Sequence, residues 1–284
     1  KLRIYYGIAI AAVFFLFQRY LPQISFGFEL SLLAANLGFR AVANNPRLVL
    51  RLRERRKVAA NTEAFVFESE KQLVFKAGQF LEWTLAHPHP DNRGIRRYFT
   101  IASSPTEPEI MLATKFAPQS SSFKKALQAL KPEDEVVVSN REGEFTMPSK
   151  ASQPLVFIAG GIGITPFRSM IKYLLDTNLK DFKISLLYSN KTEQDIAFRD
   201  LFDEAQRKLG VKTVYTITEN TSDQWLGRTG FIDEAMIKSE VTDWQSSIFY
   251  VSGPEPMVKA FEKMLAGMGV RRSNIKRDYF PGYE

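Results

Sequence analysis

The stretch FIAGGIGITPFRSM, residues 157–170, constrains the fold of this chain more than any other part of it. An apolar run ends in Gly160, Gly161 and Gly163. Thr165 then stands where a helix N-cap is expected, and Pro166 takes the first helical position. A strand that turns this tightly into a helix reads as the start of a βαβ unit, and the sequence beyond repeats the rhythm. PLVFIAGG, FKISLLYSN, VKTVYTIT and SSIFYVSG read as buried strands, alternating with the helical TPFRSMIKYLLDT and DIAFRDLFDEAQRKL. Glycines at such a turn let backbone amides come close to a diphosphate, and the helix N-terminus adds partial positive charge there.

Upstream the period is two rather than mixed. EAFVFES, QFLEWTLA, RYFTIAS, EIMLATKF and DEVVVSN are short strands separated by Gly, Pro and Asn turns, with one helical stretch, SSFKKALQAL, before the last. Closely spaced antiparallel strands of this kind predict a small β-barrel. The expected fold class is therefore α/β plus β: an antiparallel barrel over residues 58–150, then a parallel-sheet α/β domain over 151–284, preceded by N-terminal helices.

Composition narrows the chemistry. The chain of 284 residues has no cysteine, which excludes disulfides, thiolate zinc sites and cysteine-ligated iron–sulfur clusters within it. Its two histidines, His87 and His89, both lie in the loop AHPHPDN, so no metal site is expected. Redox chemistry here would need an organic cofactor.

The net charge of +7 is concentrated at one end, because residues 1–57 hold ten Lys or Arg against Glu29 and Glu54. A nucleic-acid surface would spread that charge over a folded face with interleaved aromatics; here it gathers in RLVLRLRERRK, residues 47–57, which favours a membrane surface. The apolar run IYYGIAIAAVFFLF (4–17) and the interrupted ISFGFELSLLAANLGFRAVANN (24–45) precede it. Residues 1–57 are accordingly expected to be a membrane-associated helical segment, the end of a longer membrane domain, with the domains that follow on the cytoplasmic side. An amphipathic helix docked on the soluble domains is the alternative reading.

Five motifs occur in a fixed order across residues 58–284: RRYFTIASSP, SSSFKKAL, GGIGITPF, SGPEPM and a terminal DYFPGY. In that order they resemble the ferredoxin-NADP reductase superfamily, whose flavin-binding barrel precedes a nicotinamide-binding α/β domain. The resemblance implies FAD and NAD(P)H as cofactors and a flavoprotein reductase as the activity. Hydride would pass from NAD(P)H to FAD and electrons onward to an acceptor outside this chain, such as a membrane-bound haem, flavin or quinone. Within the same resemblance, a ferric reductase or NADPH oxidase-like flavin domain is a neighbouring alternative. A flavin- and nucleotide-binding redox sensor without turnover is another.

Carried onto this sequence, the flavin motif makes Arg97 the diphosphate arginine, places Phe99 where relatives have Tyr, and turns the Thr100 hydroxyl toward the flavin. Tyr98 would supply the missing phenol only if the register moved by one to make Arg96 the motif arginine. Ser121 and Ser122 would offer backbone amides to the phosphates. Gly160, Gly161, Gly163, Thr165 and Pro166 would receive the nicotinamide diphosphate. Ser252, where relatives often have Cys, would lie beside the nicotinamide with Gly253 and Pro254. Thr100 and Ser252 are thus the catalytic candidates. Phe280 or Tyr283 would cover the flavin face. At the tip of the second parallel strand, Ser189 and Lys191 lie within reach of a 2′-phosphate and no acidic residue is present, which leans toward NADPH without excluding NADH.

Overall fold

The computed structural model describes residues 47–219 and 224–280, and among them two six-stranded sheets. The first sheet is antiparallel. It comprises β1 (Leu48–Ala59), β2 (Thr62–Ser69), β3 (Phe80–Thr84), β4 (Arg96–Thr100), β5 (Ile110–Lys115) and β6 (Glu135–Glu142), in the spatial order β4-β3-β6-β1-β2-β5. Helix α1 (Ser122–Ala129) lies between β5 and β6 in the chain. The sheet curls far enough that the chain leaving β4 meets β5, where Ala102 N donates to Met111 O at 2.8 Å. Alternate residues fill the interior: Leu50 and Leu52, Phe65 and Phe67, Leu81 and Trp83, and Val136 and Val138 are all buried, and Phe123 of α1 joins them.

The strand β1 corrects the expected boundary at residue 58. The stretch RLVLRLRERRK is not the tail of a helical segment but one of the barrel's inner strands, hydrogen-bonded to both β2 and β6. Leu48, Leu50 and Leu52 alternate with outward side chains, so the pattern is that of a half-buried strand. Its basic residues find carboxylates on the neighbouring strands and turns rather than standing free: Arg51 pairs with Glu135 at 3.4 Å, Arg53 with Glu68 at 3.5 Å and Arg55 with Glu63 at 3.1 Å. The expected helices at 4–17 and 24–45 lie outside the described residues. Among the described residues no helix is long and apolar enough to cross a membrane.

The second sheet holds β7 (Leu155–Gly160), β8 (Ile184–Asn190), β9 (Lys212–Ile217), β10 (Arg228–Thr229), β11 (Ile248–Pro254) and β12 (Ile275–Phe280), all parallel, in the order β10-β9-β8-β7-β11-β12. The helices between them are α2 (Thr165–Thr177), α3 (Arg199–Leu209), α4 (Glu234–Glu240) and α5 (Glu255–Gly267). Strand order reverses between β7 and β11, and the crevice beyond their carboxyl ends is where open α/β sheets bind ligands.

The two sheets share a packed boundary. Phe145, in the turn after β6, joins the core of the second domain, with its ring centroid 5.7 Å from that of Phe167 and 5.2 Å from that of Tyr250. Tyr250 Oη donates to Thr146 O at 2.9 Å. The turn GEFTMP is therefore a staple between the domains.

Candidate functional site

The glycine turn forms as the sequence predicts, with one shift. Residues Gly161–Ile164 make a 3₁₀ turn that runs directly into α2, so Ile164 is the N-cap and Thr165 the first helical residue. Thr165 Oγ1 instead donates back to Ile162 O at 3.2 Å, tightening the turn, and Pro166 stands in the first turn as expected. Gly161 has φ +52°, and open space lies where its Cβ would be. Gly163 is required for another reason: a Cβ there would sit 2.3 Å from Ser252 O and 2.7 Å from Gly253 Cα. The glycines thus press the turn against the end of β11 and leave its other side open. Gly253 and Pro254 complete that strand, and Pro254 is the N-cap of α5.

Ser252 is fully buried and pairs across the ladder with Asp278 of β12, with Ser252 Oγ donating to Asp278 Oδ2 at 3.3 Å. Burial pushes the Asp278 carboxyl up to about 6, the bond from Ser252 opposing this only in part. The sequence reading did not single out Asp278. Asp278 opens the terminal motif DYFPGY, but the polar NIKR before it does not announce a strand. Phe280 ends β12 opposite Pro254, and Tyr283 lies outside the described residues.

On the barrel side, strand alternation separates the two candidate registers. Arg97 and Phe99 share a face with Trp83 and Leu81, whereas Arg96 and Tyr98 lie on the other face beside Glu82. Phe99 packs against Phe123 at 5.7 Å, and the Arg97 guanidinium lies over the same Phe123 ring at 5.5 Å, which brings both to the first turn of α1. Ser121 is the N-cap of α1, accepting from Lys124 N at 3.3 Å. Ser122 Oγ accepts from Asp91 N at 2.9 Å. Tyr98 is not brought into this cluster: it donates to Glu82 Oε2 at 2.9 Å and is half exposed.

The cluster is cationic. Arg97 Nη2 donates to Asp91 Oδ1 at 2.6 Å and Nη1 to the carbonyls of Arg93, Gly94 and Arg96, while its Nε is buried without a partner. Desolvation works against the Asp91 carboxylate, yet the bonds from Arg97 and Arg93 hold it below the ordinary range. Lys124, in the first turn of α1, is pushed down to about 8 by burial and by the charge of Arg93. An orphaned guanidinium N–H, a crowded ammonium and a helix N-terminus together suit an anion, so the residues present fit the diphosphate of a flavin dinucleotide.

The structure brings these two halves together. Thr100, the last residue of β4, is buried, and Ala102, two residues on, belongs to the same buried apolar cluster as Ile162 of the glycine turn. Ser189, one residue before the end of β8, pairs with Gly160 and Thr216. The expectation for Lys191 changes: its Nζ donates to Glu219 Oε1 at 2.9 Å, and Glu219 N bonds back to Lys191 O at 2.8 Å. The acidic residue absent from the tip of β8 stands just beyond β9 instead.

Comparisons with known proteins agree with this arrangement. The oxidoreductase NAD-binding domain profile matches residues 157–263. The glycine betaine monooxygenase reductase subunit of Chromohalobacter salexigens is 25% identical over 223 residues, which is 77% of this chain and 60% of that protein. NADH-cytochrome b5 reductase 1 of Coccidioides immitis is 24% identical over 84% of this chain and 82% of its own length. The cytochrome b5 reductase domain of Ulva prolifera nitrate reductase superposes with a TM-score of 0.70 at 24% identity, covering 82% of this chain and 97% of that domain. Residues 157–263 thus match an oxidoreductase NAD-binding domain, and with the antiparallel sheet before them they make a fold similar to that of the cytochrome b5 reductase domain.

Proposed function

We propose that this protein is an FAD-dependent NAD(P)H oxidoreductase that draws electrons from a reduced nicotinamide and delivers them to an acceptor outside the chain. The observation that carries the reading is the buried apolar cluster shared by Ala102 and Ile162 with Ala64, Val66, Met111 and Ala113, which sets the end of the flavin strand near the nucleotide turn. Bound FAD supplies a two-electron acceptor that can return electrons singly. The chain's own residues bind and orient. Arg97 and the first turn of α1 hold the flavin phosphates, Thr100 borders the isoalloxazine, and the turn at Gly160, Gly161 and Gly163 holds the nicotinamide dinucleotide. Ser252 and Asp278 form a desolvated hydroxyl–carboxyl pair at the nicotinamide end, able to orient its amide. The purified protein should be yellow, and NADH added without oxygen should bleach it. A protein that takes up no FAD after reconstitution would sink the reading.

Glu219 favours NADH over NADPH, because its carboxylate pairs with Lys191, the cation expected near a 2′-phosphate, and would repel that phosphate. The name NADH-cytochrome b5 reductase on one relative points the same way. The names of both relatives speak for a protein acceptor. The apolar runs at 4–17 and 24–45 support association of residues 1–46 with a membrane interface, and hence a membrane-bound acceptor. Flotation of the full chain with vesicles, lost when residues 1–46 are removed, tests that placement.

A further inference from the structure

The chain leaving the flavin strand is gripped from the other domain. Arg168, in the first turns of α2, donates from Nη1 to Ala102 O at 3.0 Å and from Nη2 to Glu107 Oε1 at 2.8 Å, with a second bond from Nη1 to Glu107 Oε2. Glu107 Oε2 in turn accepts from Ser104 N at 2.6 Å. The neighbouring Ser169 donates to Ser103 O at 2.6 Å, and Thr106 Oγ1 reaches Asp176 Oδ2 at 2.5 Å further along the same helix. Ala102 and Ser103 are thus held at successive carbonyls by α2, and Ser104 by Glu107, the carboxylate that Arg168 grips. On their other side the barrel holds them through Ala102 N to Met111 O at 2.8 Å and Met111 N to Ser103 Oγ at 3.0 Å.

We propose that Arg168 is a positioning residue for hydride transfer: its guanidinium fixes residues 102–104, and through them Thr100, against the glycine turn. The role rests on the flavin–nicotinamide reading above. Thr100 lies two residues before Ala102, and Arg168 lies three residues after Thr165, so this bond is the short route between the two half-sites. The covalent connection, by contrast, runs through residues 143–154. Two further cross-domain bonds, Lys115 Nζ to Asp195 Oδ1 at 2.7 Å and Ala60 N to Gln194 O at 2.8 Å, touch neither β4 nor α2. The Arg168 side chain is 7% exposed, and its fork serves a carbonyl and a carboxylate at once. A lysine ammonium keeps the charge but cannot hold both in one plane. Hydride transfer depends steeply on this spacing, since a misplacement of about 1 Å costs on the order of a hundredfold in rate.

The test uses the FAD-loaded full chain, with Arg168→Lys and Ser169→Ala compared in rapid mixing against NADH. The limiting rate of flavin reduction should fall about ten- to a hundredfold in Arg168→Lys and less in Ser169→Ala. FAD content and the NADH dissociation constant should hold within about twofold of the wild-type values, which a general loss of structure would not allow. Amide hydrogen exchange, measured without NADH, should quicken at residues 102–104 in both variants and stay unchanged in β7. A wild-type reduction rate in Arg168→Lys, or a fall matched by lost FAD or NADH binding, overturns the role. Unchanged exchange at 102–104 overturns it too. If Arg168→Lys does not fold, Ser169→Ala decides the matter by the same criteria. A wild-type protein that binds FAD but is not reduced by either nicotinamide overturns the underlying reading instead.

Discussion

Ser252 and Asp278 face each other across the parallel ladder of β11 and β12, with the serine hydroxyl donating to the carboxyl at 3.3 Å. The hydroxyl is buried, and burial is also what lifts the Asp278 carboxyl to about 6. The folded protein therefore binds a proton at Asp278 more tightly than the unfolded chain does. Stability from this group is full below the ordinary value of 3.8 and is lost as pH rises through about 6. Asp278→Asn should remove that loss. The variant should gain on the wild type between about pH 4 and 7 by no more than ~3 kcal/mol, and by less to the extent that water reaches the carboxyl. Thermal melts across that range check it. A parallel loss in both proteins would show that Asp278 is not the titrating group. In the wild type, the rate of flavin reduction should also inflect near pH 6, and in Asp278→Asn that inflection should vanish.

Arg97→Ala should weaken FAD binding about ten- to a hundredfold, the worth of a charge-assisted pair. It also frees Asp91 and the carbonyls of Arg93, Gly94 and Arg96, so the apoprotein should lose stability as well. Arg96→Ala, on the outer face, should change FAD affinity by less than about threefold. Titration of the apoproteins with FAD compares them, and the opposite ranking would move the flavin motif by one residue.

Glu219→Gln should raise the relative efficiency with NADPH over NADH by roughly 1.4- to fivefold, the range that one solvent-exposed charge is worth. Steady-state kcat/KM for both nucleotides reads the change. An unaltered ratio would place the 2′-position away from Lys191 and Glu219.

A chain beginning at Val58 should fail to fold. It lacks most of β1, and with it the buried Leu50 and Leu52 and the pairing that joins β6 to β2. A chain beginning at Arg47 retains the whole strand. Far-UV circular dichroism and FAD uptake of the two chains distinguish them, and equal uptake would show β1 to be dispensable.

Much of this molecule is readable along the chain. The five upstream strands, the helix that opens at Ser122 and the glycine turn all announce themselves, because each buries a face whose period or turn chemistry is local. The first strand did not, since its outward residues are arginines whose carboxylate partners, Glu63, Glu68 and Glu135, are supplied by other strands. Read alone, a charged stretch after an apolar run resembles a membrane flank. The last strand was hidden for a similar reason: its polar sequence is ordered by pairing with β11 at the edge of the sheet.

The sequence by itself determined the order of the two sheets and the glycine turn, because these depend on periodicity and on backbone requirements within a few positions. Only the tertiary structure decided what the candidate residues face. It turned Arg97 toward the first turn of α1 and Tyr98 away from it, set Glu219 against Lys191, desolvated Asp278 beside Ser252, and tied Arg168 to Ala102 across the domain boundary. Each of these pairs joins positions that strand alternation or the meeting of separate elements brings together. Alternation follows from pairing register, and burial follows from what packs on top, and neither is set by neighbours in the chain.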